Sequence, residues 1–371
     1  MDEFTAENTI ERAIVQKAFA MQRPVSGTLE LLPLCNMNCS MCYVHLQRAE
    51  MELQGSLQTV EEWLNLGRQM QEAGVLFLTL TGGEPLLFPE FRKLYKELRD
   101  LGMFLTINTN GTLLDEDWAK FFSDYPPRRI NITLYGSTEE TYTSLCHFQG
   151  GFEKTMQGIR MLKDIGVQLK INCSAVKINQ HEIDAIYEIG KELDIPVAVD
   201  TYMIPGLSDR SFPFEKQARL MPEDAAQIHW KVLSHDMSPE SLHNHVHRML
   251  SLIEQDDNPS YPATVSCLAS NCSFAIDWRG NMRPCVTLEE PAVPVFELGF
   301  EDSWNKISKE TKHFRLNKKC TACRLRPLCP TCAGSAWLET GKYDGVPEYL
   351  CRYSKELYKI MKAKETEWNG E

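Results

Sequence analysis

Cys35, Cys39 and Cys42 stand in a C-x3-C-x2-C spacing, with Tyr43 directly after them and an apolar run, Thr28 to Leu34, directly before. Three thiols in one short loop favour a soft metal. A disulfide would leave one thiol over, and a closed tetrahedral zinc site needs a fourth ligand that this loop lacks. An iron–sulfur cluster with one iron left open fits the count better. A second field of thiols lies far downstream: Cys267, Cys272, Cys285, Cys320, Cys323, Cys329, Cys332 and Cys351. These divide into two sets of four, which suits two fully thiolate-bound four-iron clusters and equally two closed zinc sites, so number alone does not name the metal.

The first spacing, followed by an aromatic residue, resembles the cluster loop of the radical S-adenosylmethionine (radical SAM) enzymes. The resemblance extends to Leu78-Thr79-Leu80-Thr81, which reads as a buried strand and runs into Gly82-Gly83-Glu84-Pro85. It implies a 4Fe-4S cluster held through three irons by Cys35, Cys39 and Cys42, with the methionyl amine and carboxylate of S-adenosylmethionine (SAM) on the fourth. The Gly-Gly-Glu-Pro segment would bind that amine: the glycines admit close backbone approach to the ligand, Glu84 offers a carboxylate to an ammonium, and Pro85 ends the strand. By the same resemblance Tyr43 would border the adenine, Asn110 would contact the ribose, and Thr133 would bind the methionyl carboxylate.

These residues need a scaffold, and the stretch from Ser26 to about Met203 supplies its pattern. Apolar strands alternate there with amphipathic helices, as in a parallel sheet built from right-handed crossovers. Strands are expected at 27–33, 75–81, 103–109, 129–135, 167–176 and 196–203, with helices near 58–73, 89–101, 114–123, 138–163 and 181–193. Six strands without a seventh and eighth predict an α/β fold, a partial (β/α)6 TIM-like barrel over 26–203, the shape the resemblance also implies. The motifs fall at the carboxyl ends of the strands, where strand-to-helix loops converge. The cysteine loop follows the first strand, Gly82 to Pro85 the second, Asn108-Thr109-Asn110-Gly111 the third, and Thr133 lies near the end of the fourth.

Residues 1–25 read as a lead-in helix, with Ile10, Ala13, Ile14 and Ala18 or Phe19 on one side. So short a segment cannot make a leader-peptide-binding domain, since domains start near ~50 residues; leader recognition would need a separate protein. Residues 204–262 form a bridge whose Asp209, Arg210 and Arg219 could face a substrate, although charges in connecting segments are commonly just solvated. His243, His245 and His247 alternate like a metal comb. Alternating residues share a face only in a strand, however, and Met249, Leu250, Leu252 and Ile253 continue at helical spacing, which makes these surface histidines.

The distal thiols follow a C-x12-G-x4-C spacing from Cys267 through Gly280 to Cys285, then C-x2-C-x5-C-x2-C from Cys320 to Cys332, then Cys351. This resembles the SPASM extension of many radical SAM enzymes, expected here over 263–352, with 353–371 as a C-terminal helix and tail. The Cys329 to Cys332 step is one residue shorter than usual for that extension. The resemblance implies two auxiliary 4Fe-4S clusters, one on Cys267, Cys272, Cys285 and Cys332, the other on Cys320, Cys323, Cys329 and Cys351, making three clusters in all. Asp277 to Asn281 reads as a hairpin turn that positions Cys285. Cys146 and Cys173 stay outside these sets: Cys173, in an apolar strand, reads as a core residue, and Cys146, in a helix-to-loop region, could be reactive, though a small buried residue is the commoner case.

A formal charge of -12 and a pI near 5.4 oppose general binding to nucleic acid or an anionic membrane. No apolar run of about 18 residues appears, and Met1-Asp2-Glu3-Phe4 is acidic where a signal peptide would be basic. A cytoplasmic protein is expected, and in a reducing compartment thirteen cysteines point to metal rather than disulfides.

What the resemblance implies is reductive cleavage of SAM to a 5′-deoxyadenosyl radical, fed by an external donor such as flavodoxin or ferredoxin. The chain would hold one substrate C–H bond beside the radical carbon. Auxiliary clusters offer a place for a second electron, which favours oxidation or cross-linking over rearrangement. The function expected is maturation of a ribosomal peptide, by a thioether or carbon–carbon cross-link or an epimerised residue. An anaerobic sulfatase-maturating enzyme, converting Cys or Ser to formylglycine, is the alternative; there an aspartate after the third cysteine of the first auxiliary cluster serves as base. Here Val286 follows Cys285 and cannot accept a proton, although Glu289 and Glu290 are nearby. A third reading, of another class, is an iron–sulfur electron carrier or scaffold that binds SAM without turning it over. The Gly82 to Pro85 site argues against it. No catalytic acid or base is singled out.

Overall fold

The computed structural model describes residues 9–205, 218–255 and 259–370; Asp209 and Arg210 lie outside them. By packing, the chain forms two compact units. The first contains the residues up to Leu134 with Thr138–Ile171 and Ser266–His313; the second contains Tyr135–Ser137, Asn172–Val265 and the residues from Phe314 onward. Segments 26–203 and 263–352 therefore each contribute to both.

The first unit opens with α1 (Thr9–Met21), β1 (Ser26–Glu30), α2 (Arg48–Gln54), α3 (Val60–Glu72), β2 (Phe77–Thr81) and α4 (Phe91–Asp100). It continues with β3 (Phe104–Thr109), α5 (Glu116–Asp124), β4 (Arg129–Thr133), α6 (Glu139–Cys146) and α7 (Gly151–Asp164). β5 (Leu169–Ser174) leads into α8 (Ile183–Glu192), β6 (Val197–Asp200), α9 (Pro222–Asp236) and α10 (Pro239–Gln255). Then come β7 (Ser273–Ile276), β8 (Asn281–Arg283), β9 (Val293–Pro294), α11 (Val295–Leu298) and α12 (Phe300–Thr311), and last α13 (Lys318–Thr321), α14 (Ala333–Thr340) and α15 (Glu348–Gly370). The strand order is β6-β5-β4-β3-β2-β1-β7-β8-β9, an α/β fold in which strands β1 to β6 alternate with helices as expected.

Two differences from the expected elements have local causes. The single helix expected over 138–163 is broken into α6 and α7, because His147 (φ 50°) and Gly150 (φ 74°) adopt left-handed backbone between them. The hairpin around Asp277 also does not stand alone. Its first strand, β7, pairs in parallel with β1, Ser26 opposite Ser273 and Gly27 opposite Phe274. Gly27 permits this, since the Phe274 ring fills the space a Cβ would take. That ring then packs edge-on against Phe300 and Trp304 of α12, at 5.1 and 6.4 Å.

The register gives the sheet of the first unit two unlike faces. Leu29, Leu80, Ile107, Ile130 and Ile132 alternate with Thr28, Glu30, Thr79, Thr81, Asn108, Asn131 and Thr133. The apolar set is fully buried, at 0–1% exposure, whereas most of the polar set is half-buried. Parallel strands covered by helices on both faces read as continuous apolar runs. Alternation here leaves one face polar, as a barrel with a wet interior requires. At the start of β2 that face turns aromatic, with Phe77 stacked on Phe104 at 5.5 Å. α1 seats there: its Val15 packs with Val25, Phe77 and Cys272, and its Glu11 pairs with Arg128 at 2.9 Å.

In the second unit Tyr349 of α15 donates its hydroxyl to the carbonyl of Leu220, and Tyr353 shares a buried hydrogen bond with Thr201 at 3.1 Å. Arg219 is buried, paired with Glu339 at 2.5 Å and stacked over the Tyr349 ring at 3.4 Å. It serves packing within the unit. His243 and His247 lie on α10, the first stacked on Trp368 and the second 3.0 Å from Glu365. Among the described residues no helix is long and apolar enough to cross a membrane.

Candidate active site

The cysteine loop leaves β1 and is pinned by its neighbours' backbone. Asn38 and Ser40 donate their N–H groups to the carbonyls of Cys146 and Leu145 at the end of α6 (3.0 and 2.9 Å), and Leu46 donates to Pro33. Met37 and Met41 are buried, so the loop is anchored by apolar side chains while Cys35, Cys39 and Cys42 remain half-buried. Met37 N–H donates to Cys35 Sγ at 3.3 Å, and His45 N–H to Cys42 Sγ at 3.2 Å. The thiols are close enough to act on one another. Cys35 is pushed up to about 12, chiefly by burial and further by Glu84, Cys39 and Cys42, against the Met37 N–H. A metal binding here must displace those protons.

Cys146 does more than fill space. It is buried, and the hydrogen bond of its thiol to Cys39, together with burial, raises Cys39 well above the ordinary range. Cys173 is a core residue in β5, with Asn179 Nδ2 donating to its sulfur at 3.6 Å.

Gly82 and Gly83 sit against the cysteine loop's own stem. Gly83 N–H donates to the Leu32 carbonyl at 2.7 Å and Glu84 N–H to Leu34 at 2.9 Å, and a Cβ on either glycine would collide with the Leu32 or Leu34 backbone. The glycines thus let two loops meet, a role beyond the ligand clearance expected of them. Glu84 is fully buried and accepts from Thr109 Oγ1 (2.8 Å), Asn110 N–H (2.9 Å) and Leu86 N–H (3.1 Å). Burial pushes its carboxyl up to about 7 against those three donors. The carboxylate ties the end of β2 to the end of β3.

Asn110 is drawn into the same junction. Its Nδ2 donates to Asn36 Oδ1 at 2.9 Å and lies 3.6 Å from Cys35 Sγ, while its Oδ1 accepts from Thr112. Three strand-end loops therefore meet beside Cys35. Thr133 ends β4 half-buried on the polar face, and Tyr43 is half-buried just past Cys42.

The distal thiols behave differently. Cys320, Cys323, Cys329 and Cys351 line one cavity of ≈ 210 Å³ in the second unit, with Lys319, Arg326, Glu348 and Lys355. Cys351, in the first turn of α15, is pushed up to about 11 by burial and then by Cys329, Glu348, Cys320 and Cys323. Among the described residues no three His, Cys, Asp or Glu side chains converge tightly enough for a single ion. Four thiols standing around a cavity suit a four-iron body; a tetrahedral zinc with bonds of ~2.3 Å would need them closer.

The other four distal cysteines are placed separately. Cys267 is exposed, Cys272 is buried beneath α1, and Cys332 is exposed at the N-cap of α14. Cys285 is half-buried, 3.1 Å from Thr287 Oγ1. It and Val286 line a cavity of ≈ 80 Å³ with Ser26, Thr28, Thr79 and Thr106, at the opening half of the strands. No carboxylate is among the described residues lining it. From there to the cysteine loop is roughly one strand length, ~15 Å.

Sequence reading missed the polar face and Asp200. In β6, Val197 packs on Gly190 of α8, so alternation turns Asp200 away from that helix. Asp200 ends β6 half-buried, accepts the Tyr202 N–H at 3.0 Å, and is raised above the ordinary carboxyl range by burial. The signal was present as period-two runs such as Arg129-Ile-Asn-Ile-Thr133 and Leu169-Lys-Ile-Asn-Cys-Ser174.

Residues 29–190 match the family profile described as the Radical SAM superfamily. The chain is 26% identical over 336 residues to the AdoMet-dependent heme synthase of Methanosarcina barkeri (strain Fusaro / DSM 804), spanning 85% of this chain and 92% of that protein. It is 29% identical over 329 residues to the cysteine-type anaerobic sulfatase-maturating enzyme of Clostridium novyi (strain NT), spanning 80% and 83%. Among solved structures it is similar to Streptococcus suis SuiB, bound to S-adenosylmethionine (TM-score 0.67, 15% identity) and to precursor peptide SuiA (0.68, 16%). Each match covers 95% of this chain, and 84% and 83% of SuiB respectively. At that identity the likeness shows the fold, a TIM-like partial barrel. The family implies SAM and a 4Fe-4S cluster as cofactors. The superfamily and the named relatives are enzymes, so a SAM-binding carrier or scaffold is set aside. The cysteine loop and the strand-end junction both lie within residues 29–190, the segment that matches the Radical SAM superfamily profile, so this segment is a radical SAM domain and the chain is an enzyme.

Proposed function

We propose that the chain is a cytoplasmic peptide maturase that cross-links a peptide, through a thioether or carbon–carbon bond, or epimerises one of its residues. The observation that carries this reading is the polar face of the sheet: its hydroxyls and amides suit a peptide's hydrogen-bonding groups better than an apolar planar substrate, which would favour an apolar slot. SuiB, of the same fold, was solved with a precursor peptide.

Cys35, Cys39 and Cys42 would hold three irons of the SAM-binding cluster. Bound SAM and cluster supply the carbon radical by reductive cleavage. Gly82 to Pro85 would take the methionyl amine, with Glu84 fixing the segment through Thr109 and Asn110. Thr133 would donate its hydroxyl to the methionyl carboxylate, Asn110 would contact the ribose and Tyr43 would border the adenine. Cys320, Cys323, Cys329 and Cys351 would hold one auxiliary 4Fe-4S cluster, supported by the cavity they share; Cys267, Cys272, Cys285 and Cys332 would hold the other. An external carrier of the flavodoxin or ferredoxin kind would supply electrons.

A second reading, a haem-forming reaction, is favoured by the extent of the match to the heme synthase. The sulfatase-maturating alternative has the Clostridium novyi relative behind it and the carboxylate-free lining beside Cys285 and Val286 against it. The test is anaerobic incubation of the reconstituted protein with SAM, dithionite and three substrates in parallel. A short peptide encoded beside the gene should lose two hydrogens or invert a residue, with 5′-deoxyadenosine released. Haem from a haem precursor, or formylglycine in a Cys-x-Pro-x-Arg peptide, would overturn the proposal in favour of the corresponding relative.

A further inference from the structure

In a chain of formal charge -12, residues 311–338 contain six basic residues, Lys312, Arg315, Lys318, Lys319, Arg324 and Arg326, and no Asp or Glu. The part of this run in the second unit, from Phe314 onward, carries residues that line the four-thiol cavity. Lys319 and Arg326 line it, Lys355 joins them from α15, and Glu348 is the one carboxylate among the described lining residues. Lys318, Lys319 and Lys355 are exposed, and no carboxylate lies within ion-pair reach of them among the described residues. Arg324 is engaged elsewhere, donating to the carbonyls of Ile253 and Glu254 at the end of α10.

The basic residues do not all have one use. Arg326 bonds the Cys329 carbonyl and faces inward, where its charge offsets that of the thiols. Lys318 is not a lining residue, so that task does not explain it. Cys323, Cys329 and Cys351 are only half-buried, which leaves the thiol site near the surface the lysines surround.

We propose that Lys318, Lys319 and Lys355 form a docking rim for an acidic one-electron carrier protein, of flavodoxin or ferredoxin chemistry, brought up against the Cys320, Cys323, Cys329 and Cys351 site. The proposal rests on reading that cavity as a cluster site. Such a partner needs only to bring its redox group close: it loses one electron, the site gains one, and no atom or proton changes hands. The acidic remainder of the chain repels it elsewhere, so the rim sets its orientation. Steering of this kind strengthens encounter by about 10 to 1,000-fold and fades with salt, over a Debye length of ~10 Å at 0.1 M.

The test is calorimetric titration of the reconstituted full chain with an acidic flavodoxin, at ~50 mM and ~500 mM salt. K318E/K319E should weaken binding by about 10-fold or more at low salt, and K318R/K319R should bind like the natural chain. The reversed and natural chains should converge at high salt, with iron content unchanged. Equal affinities at low salt would overturn the docking rim. So would a shifted midpoint potential with unaltered affinity, which would make the lysines tuners of the site, or poly-glutamate binding that does not compete with flavodoxin, which would assign the rim to an acidic peptide. Iron too low for a distal cluster, measured before any flavodoxin is added, would remove the underlying reading and the proposal with it.

Discussion

Cys35, Cys39 and Cys42 occupy a single loop held by backbone hydrogen bonds to α6 and by buried methionines, whereas the distal cavity gathers Cys320 from the short α13, Cys323 and Cys329 from the irregular stretch after it, and Cys351 from the first turn of a long helix. The first arrangement is local and rests on a scaffold that would stand without metal. In the second, the thiols are themselves much of what these segments have in common, so metal ligation there should be folding energy as well as function. Each site therefore predicts a different failure when a cysteine is removed.

The largest effect is expected at the loop. Cys35→Ala, Cys39→Ala or Cys42→Ala should abolish 5′-deoxyadenosine release from SAM and dithionite, with only a small change in thermal midpoint. A large loss of stability would break the contrast. Cys329→Ala should do the reverse: about four irons lost per chain, a lowered melting temperature, and SAM cleavage retained. Measuring iron and melting on the same samples checks both halves.

Next is Glu84. With three donors on its carboxylate, Glu84→Gln turns an NH₂ group toward N–H or O–H donors and should cost about 1–3 kcal/mol in denaturant unfolding. The pH dependence sharpens this. Without SAM, the carboxyl shifts from the usual 4.5 up to about 7 in the folded protein, so the folded state holds a proton the unfolded chain has released. That contribution to stability is complete below about 4.5 and is lost as pH rises through about 7. In Glu84→Gln that slope should vanish; an unchanged slope would contradict the assignment.

The smallest effects separate the two faces of β4. Thr133→Val should weaken SAM binding by about 5 to 10-fold, the worth of one hydrogen bond near 1–1.5 kcal/mol, and leave stability nearly unchanged. Ile132→Val, one residue earlier and facing the core, should cost ~0.5–1.5 kcal/mol of stability without touching SAM affinity. Paired calorimetry and melting would expose an error in the register.

The same contrast explains how much could be read from the chain. The cysteine loop and the strand-to-helix rhythm are legible because their signals are contiguous: thiol spacing, apolar runs, turn residues. The convergence of Cys351 with Cys320 is long-range, and only the resemblance, not the spacing, pointed to it. Glycine's use at 82 and 83 depends on where Leu32 and Leu34 pass, and Glu84's partners come from β3, so neither is a property of the motif alone. The break at His147 hides in an otherwise helical pattern. β7 has too few residues for its pairing with β1 to show. The polar face was legible, in the alternation of β3, β4 and β5, but apolar content masks it unless the period is counted.

The most direct test is iron and sulfide per chain in anaerobically reconstituted protein, natural and C35A/C39A/C42A, beside 5′-deoxyadenosine release from each. About twelve irons in the natural chain and about eight in the variant, with release only from the former, is the predicted result. About four irons in the natural chain, or zinc in the distal thiols, would contradict it.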